Sequence, residues 1–128
     1  MTERRLRVLL IDDSELVLSA QEAVLSAAGF EVRAVGSLQR FLNQLLDWKP
    51  HVVVTDLYMP EMSGAELCSW LRRQMPTLRI PIVVCSSAPE AELAVIARAA
   101  GADGWIPKQL GLAGLSERLR ELCDEIAF

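Results

Sequence analysis

The sequence predicts an α/β fold in which five parallel strands form one sheet with helices on both faces. Two observations lead to this prediction. Short runs rich in Val, Ile and Leu alternate five times with longer amphipathic stretches along the 128 residues. Three of these runs are apolar almost throughout, which is typical of strands that are buried on both faces of a parallel sheet.

The apolar runs are the predicted strands. They are Leu6–Ile11, Glu31–Val35, His51–Thr55, Ile80–Ser86 and Gly104–Pro107. Pro50 breaks the chain directly before the third of them, which supports a boundary at that point. The strands are therefore separated by stretches long enough to hold one helix each.

The stretches between the strands have helical spacing. After Val17, apolar residues recur at positions 20, 24, 25 and 28, and similar patterns run through 93–100 and 112–126. Gly29 and Gly101 stand where helix C-caps are needed. Pairs of Ser and Glu with the spacing of capping boxes open the third and fourth helices: Ser63 with Glu66, and Ser87 with Glu90. In the first helix, the apolar Leu16 and Leu18 could mark a partner surface or fill the core, and we favour the core.

The alternation of strands and helices determines the topology. Parallel strands joined by helices require right-handed crossovers, and these place helices on both faces of the sheet. Among doubly wound folds, the flavodoxin-like strand order 2-1-3-4-5 suits five strands best. The chain shows no linker, internal repeat or low-complexity segment, so we expect residues 1–128 to form one domain.

Composition excludes several classes of function. A formal charge of −4 gives no sign of direct binding to nucleic acid or to an anionic membrane surface. The first apolar run is too short for a signal peptide or a membrane span, so we expect a cytoplasmic protein without membrane insertion. The three cysteines, Cys68, Cys85 and Cys123, lie in apolar stretches and suit buried free thiols in a reducing compartment.

Polar side chains stand at the carboxyl ends of four predicted strands. They are Asp12 and Asp13, Asp56, Ser86 and Ser87, and Lys108. The first and third strands are neighbours at the point where the strand order reverses, so their aspartates should converge there. Carboxylates crowded together repel unless a pKa rises or a cation binds. With no histidine or thiolate at these strand ends, an all-oxygen site favours Mg²⁺ (or Mn²⁺) over zinc.

Such a site suits phosphoryl transfer. A carboxylate can act as a nucleophile and form an aspartyl-phosphate. Asp56 would attack while Asp12 and Asp13 hold the metal, and Lys108 and Ser86 would neutralise and bond the phosphoryl oxygens. Taken singly, each residue also has a structural explanation, such as helix capping by Asp13 or a solvated surface charge for Lys108.

These residues resemble the receiver domain of two-component response regulators, specifically the single-domain chemotaxis type. The resemblance covers essentially the whole chain and is densest in Asp56-Leu57-Tyr58-Met59-Pro60-Glu61-Met62-Ser63-Gly64. Residues 81–88 are similar to the family's fourth strand and its hydroxyl, and residues 101–108 resemble the fifth strand ending in the lysine. The resemblance implies a signalling switch, not a turnover enzyme.

The resemblance also implies a role for each site residue. Asp56 would accept a phosphoryl group from a histidine kinase or phosphotransfer protein. Metal ligands would come from Asp12, Asp13, Asp56 and the backbone carbonyl of Tyr58. Ser86 would be the switch hydroxyl and Lys108 the phosphate-binding cation, with Trp105 at the position of the family's aromatic switch. Phosphorylation would remodel the surface of the fourth helix, fifth strand and fifth helix for an unknown downstream protein, and a homodimer is possible.

Three positions set this chain apart from the family pattern. Gln109 follows Lys108 where the family usually has proline after a cis peptide bond, and a trans bond is expected before Gln. Tyr58 and Ala88 would flank the water that hydrolyses the acyl phosphate. Because neither offers an acid or amide to orient that water, we expect self-dephosphorylation to be slow, taking minutes or longer.

Other readings use the same fold. A receiver that no longer depends on phosphate could act as a protein interaction module, and the Lys108–Gln109 junction is the feature that supports it. A Mg²⁺-dependent phosphatase commonly has a second acid two residues after its nucleophile, where this chain has Tyr58. A flavodoxin would need a phosphate-accepting hydroxyl loop where this chain has Asp12 and Asp13.

Overall fold

The structure is a computed structural model that describes residues 5–75 and 79–126. Strands and helices alternate along these residues. In chain order the elements are β1 Arg7–Ile11, α1 Glu15–Ala27, β2 Glu31–Val35, α2 Leu38–Asp47, β3 Val52–Asp56, α3 Gly64–Gln74, β4 Ile82–Ser86, α4 Glu90–Ala100, β5 Gly104–Pro107, a 3₁₀ turn at Lys108–Leu110 and α5 Gly111–Ile126.

The strands form one parallel sheet in the order β2-β1-β3-β4-β5, as the sequence predicts. The register sets the carboxyl ends of the central strands side by side. Ile11 pairs with Thr55, Asp56 pairs with Cys85, and Ser86 pairs with Pro107. The residues that follow β1, β3 and β5 therefore open onto the same edge of the sheet as the end of β4.

The boundaries of three predicted strands shift by one or two residues. Leu6, His51, Ile80 and Pro81 lie just outside the strands, while Asp56 is the last residue of β3. His51 and Pro81 still bond to the sheet through their backbones. His51 N–H donates to the Arg7 carbonyl, and the Pro81 carbonyl accepts from Val53 N–H. Apolar runs extend past strands wherever the chain stays buried, so hydrophobicity alone does not mark the ends.

Both faces of the sheet are buried. Val8 and Leu10 in β1 belong to a core cluster with residues of α1 and α5, including Leu25 and Leu119. The alternate residues Leu9 and Ile11 belong to a second cluster, with residues of α2 and α3. A smaller cluster joins Leu57 and Val84 to Leu93 of α4. This two-sided burial explains why the strands read as continuous apolar runs.

The helix boundaries follow local chemistry, with one prediction wrong. The Ser63–Glu66 capping box is present at the start of α3, and Gly101 ends α4 in the left-handed conformation. Ser87 does not cap α4, because Pro89 stands at the N-cap position and makes no side-chain cap bond. A residue before proline avoids helical geometry, so the helix cannot start from Ala88.

One core prediction in α1 is also wrong. Leu18 is buried as expected, but Leu16 is 82% exposed because it lies on the outer side of the helix. The three cysteines are free and buried, as predicted. Within the described ranges, every helix is too short or too polar to cross a lipid bilayer.

Candidate functional site

Asp12, Asp13 and Asp56 converge at the carboxyl edge of the sheet, where β1 and β3 are neighbours. One carboxylate oxygen from each residue lies within 4.8 Å of the others. Asp12 and Asp56 are buried, whereas Asp13 is exposed. The crevice is therefore lined by acid groups and open to solvent on the Asp13 side.

The chain after β3 is folded tightly against Asp56. Leu57 N–H donates to the Cys85 carbonyl at 3.0 Å, and Gly64 N–H donates to the Leu57 carbonyl at 2.8 Å. A Cβ added at Gly64 would overlap the Asp56 carbonyl oxygen and would lie 3.1 Å from its carbon. Only glycine lets α3 begin directly beneath Asp56, which gives a physical reason for the glycine in this motif.

Lys108 joins the acid cluster from the end of β5. Its Nζ lies 2.7 Å from Asp56 Oδ1 and 3.5 Å from Asp12 Oδ2. Burial would lower the pKa of Lys108, but the hydrogen bond and charge of Asp56, with the charge of Asp12, outweigh burial and raise it. Lys108 is therefore a cation held within the site, although Gln109 follows it.

Asp12 carries an unsatisfied oxygen. Its Oδ1 accepts a hydrogen bond from Ser14 N–H at 3.0 Å, but its buried Oδ2 has no hydrogen bond to any residue that the structure describes. Burial and the charge of Asp56 raise the pKa of Asp12, against the opposing effects of Ser14 N–H and Lys108. A buried carboxylate oxygen of this kind, beside two further carboxylates, fits the hard oxygen ligand set of Mg²⁺ or Mn²⁺.

Ser86 is the fully buried last residue of β4. Its Oγ accepts a hydrogen bond from Ala88 N–H at 3.1 Å, and this bond leaves the hydroxyl proton available to donate. Its place in the sheet is one residue beyond Cys85, which pairs with Asp56. Ser86 therefore stands at the same edge as the acid cluster.

Tyr58 and Trp105 lie at the margins of this arrangement. Tyr58, in the loop after β3, is 58% exposed. Trp105 of β5 is half-buried and packs against the cluster that contains Val84 and Leu93. The Arg98 guanidinium lies 4.9 Å from the centroid of the Trp105 ring, within cation–π distance.

Two residues named in the sequence, Cys85 and Gln109, have surroundings at the site that the sequence did not indicate. Burial raises the pKa of the Cys85 thiol, on the residue that pairs with Asp56, to about 12. Gln109 Nε2 donates to the Ser87 carbonyl at 2.8 Å. None of the peptide bonds in the described ranges is cis, as expected for Lys108–Gln109. The replaced proline was the only signal in the sequence that pointed to Gln109.

Known proteins share this sequence pattern and fold. Residues 8–120 match the family described as the response regulator receiver domain. The transcriptional regulatory protein GltR of Pseudomonas aeruginosa is 28% identical over 121 residues, which cover 94% of this chain and 50% of the relative. The response regulator MprA of Mycolicibacterium vanbaalenii is 32% identical over 116 residues, covering 91% of this chain and 49% of the relative.

The chain thus spans about half the length of the curated relatives it matches. Among solved structures, the chemotaxis response regulator CheY4 of Vibrio cholerae is 26% identical and superposes with a TM-score of 0.82. That match covers 93% of this chain and 99% of the other. Because the family match extends over most of the chain and the sheet has the same order, the chain belongs to the receiver domain family of two-component response regulators, which serve phosphorelay signalling.

Proposed function

We propose that residues 1–128 form a phospho-acceptor switch in which Asp56 receives a phosphoryl group from a histidine kinase or phosphotransfer protein. The observation that carries this proposal is the cluster of Asp12, Asp13 and Asp56 with Lys108 Nζ held 2.7 Å from Asp56 Oδ1. Acid groups to hold a cation, a carboxylate nucleophile and a fixed ammonium group are what phosphoryl transfer to an aspartate requires.

The residues present fit a divalent cation, which we propose is Mg²⁺ (or Mn²⁺). Asp12, Asp13 and Asp56 would hold it through carboxylate oxygens, and the Tyr58 backbone carbonyl would complete the protein ligands. When bound, the ion supplies positive charge that neutralises oxygens of the phosphoryl group. Oδ2 of Asp12 supports this assignment. Lys108 Nζ lies 3.5 Å from this buried oxygen, but none of the described residues donates a hydrogen bond to it.

The phosphoryl group would be transferred in one displacement. A carboxylate oxygen of Asp56 forms a bond to phosphorus as the bond from phosphorus to the donor's imidazole nitrogen breaks, and the imidazole leaves with the electron pair. Lys108 would stabilise the charge on one phosphoryl oxygen and the Ser86 hydroxyl would donate to another. The same contacts would hold the group after transfer.

The signal would leave through a change of surface. If Ser86 moves to bond the phosphoryl group, the adjoining loop moves with it and alters the face formed by α4, β5 and α5. Trp105 lies on this face, where it packs against Leu93 and contacts Arg98. A change of this face would alter both contacts. The output would be contact with another protein, because a formal charge of −4 does not favour binding to nucleic acid.

The test is phosphorylation of the purified chain by acetyl phosphate, followed by intact-mass spectrometry. We expect the wild type to gain one phosphoryl group with Mg²⁺ present, and to gain little when the ion is chelated. Asp56→Asn should gain none, while Asp47→Asn, at the far end of α2, should behave as wild type. A wild type that stays unmodified with several small donors, and partner binding that Asp56→Asn leaves unchanged, would favour the phosphate-independent interaction module.

A second test addresses how long the group persists. Tyr58 is exposed and Ala88 is buried. A phenol and a methyl group provide no acid or amide that could orient a water at the phosphoryl group. We expect the phosphorylated form to survive for minutes after the donor is removed. Loss within seconds would contradict this expectation without affecting the assignment of Asp56.

A further inference from the structure

One hydrogen bond joins the turn that begins at Lys108 to the loop that follows Ser86. Gln109 directly follows Lys108, and Ser87 directly follows Ser86. The side-chain amide of Gln109 donates from Nε2 to the Ser87 carbonyl at 2.8 Å. Both residues are exposed, so this contact spans the outer rim of the site above the paired ends of β4 and β5.

The loop between β4 and α4 has few other restraints. It consists of residues 87–89, and α4 begins after Pro89 without a side-chain cap. Ala88 N–H donates to Ser86 Oγ, which bonds the loop to its own preceding residue. Among the residues that the structure describes, Gln109 provides the side-chain bond that reaches this loop from another element.

We propose that Gln109 is a positioning residue for phosphoryl transfer, which holds the loop that follows Ser86 against the turn that begins at Lys108. The inference rests on the proposed function. Ser86 and Lys108 have to contact different oxygens of one phosphoryl group, and groups that are already in place lower the barrier more than groups that must be ordered during the reaction. Proline at this position has no side-chain donor, so the bond depends on the residue in which this chain departs from its family.

The test compares variants that differ in a single donor. Gln109→Met keeps the side-chain length and removes the amide, and Gln109→Lys restores an N–H donor of similar reach. Gln44→Met is the matched control, because the Gln44 amide oxygen accepts a hydrogen bond from Arg33 of β2, the edge strand at the other end of the sheet from β5. The rate of phosphorylation is measured against acetyl phosphate concentration with saturating Mg²⁺, and the urea midpoint of each variant is measured alongside.

We expect Gln109→Met to lower the maximal rate about threefold to tenfold, the range set by one solvent-exposed hydrogen bond. The half-saturating donor concentration and the urea midpoint should stay close to wild type, because the bond orders a loop and neither binds the donor nor packs the core. Gln109→Lys should regain most of the rate, and Gln44→Met should match wild type.

A wild-type maximal rate in Gln109→Met would overturn the inference, as would a loss that Gln109→Lys does not regain. If the wild type accepts no phosphoryl group, the proposed function fails and a second measurement decides the role of Gln109. Hydrogen exchange of the Ala88 amide should then be faster in Gln109→Met than in wild type if Gln109 orders the loop. Unchanged exchange at Ala88 would overturn the inference.

Discussion

Gly64→Ala should disturb Asp56 without removing any of its contacts. Gly64 is the first residue of α3, and its N–H donates to the Leu57 carbonyl at 2.8 Å. A methyl group at this position would overlap the Asp56 carbonyl oxygen and lie 3.1 Å from both the Asp56 carbon and Thr55 Cγ2. The main obstacle is backbone at the end of a buried strand, so it cannot move aside as a flexible side chain would.

The magnitude follows from two opposing effects. Extra volume in a well-packed region costs about 1–3 kcal/mol in the free energy of unfolding, while replacing Gly by Ala in a helix gains up to about 1 kcal/mol. Because Gly64 stands at the helix start, where the gain is smallest, we expect a net loss of about 2 kcal/mol. With a urea m-value of about 2 kcal/mol/M, the midpoint should fall by about 1 M.

The assay is urea unfolding, combined with phosphorylation by acetyl phosphate at saturating Mg²⁺. Gly36→Ala is the matched control, because its added Cβ would lie 3.7 Å from the Asp12 carbonyl oxygen, an ordinary contact distance. Gly36→Ala should leave the free energy of unfolding within about 0.5 kcal/mol of wild type. Gly64→Ala should also lower the phosphorylation rate, since relief of the overlap displaces Asp56. Equal midpoints for Gly64→Ala and wild type would refute the close approach of α3 to β3.

Further expectations concern caps, an arginine and the thiols. Ser63→Ala should lose about 1 kcal/mol of unfolding free energy, because Ser63 caps α3. Ser87→Ala should change it by less than about 0.5 kcal/mol, because Ser87 makes no cap. Equal urea midpoints for these two variants would contradict this difference. Arg72→Met should lose about 1–3 kcal/mol, since Arg72 bonds two backbone carbonyls and a carboxylate, and an unchanged midpoint would exclude that role. Burial raises the pKa of Cys85 to about 12 and of Cys123 to about 11. Below the unfolded value near 9.0 these thiols are protonated in both states, and the stability of the fold has its full value. As the pH rises past that value toward the folded values, only the unfolded chain loses these protons, so stability is lost. Urea midpoints should therefore fall between about pH 8 and pH 10.5, and a flat profile would contradict the burial of these thiols.

Much of this architecture can be predicted from periodicity. Continuous apolar runs such as Val52–Val54 indicate a strand buried on both faces, and the alternation with helices then requires a parallel sheet. Once the strand order is set, residues at the carboxyl ends of neighbouring strands lie close together. The sequence alone therefore predicts that Asp12, Asp13 and Asp56 converge. The prediction works because it depends on backbone topology and not on side-chain detail.

Details that depend on side-chain packing could not be predicted in the same way. The apolar Leu16 fits a helical pattern, but which side of α1 faces the sheet is decided by contacts distant in sequence. Ser87 and Glu90 have capping-box spacing, and the intervening Pro89 overrides it. The bond from Gln109 to the Ser87 carbonyl joins residues 22 positions apart, so no local pattern marks it.

The position of the phosphoryl group tests the central claim most directly. The chain is treated with acetyl phosphate and Mg²⁺, reduced with borohydride to convert any aspartyl-phosphate to homoserine, and mapped by peptide mass spectrometry. We expect homoserine at Asp56 and at no other aspartate, with the signal lost when Mg²⁺ is chelated. Homoserine at Asp12 or Asp13, or an equal yield at Asp56 without a divalent cation, would contradict the division of these carboxylates into one nucleophile and two metal ligands.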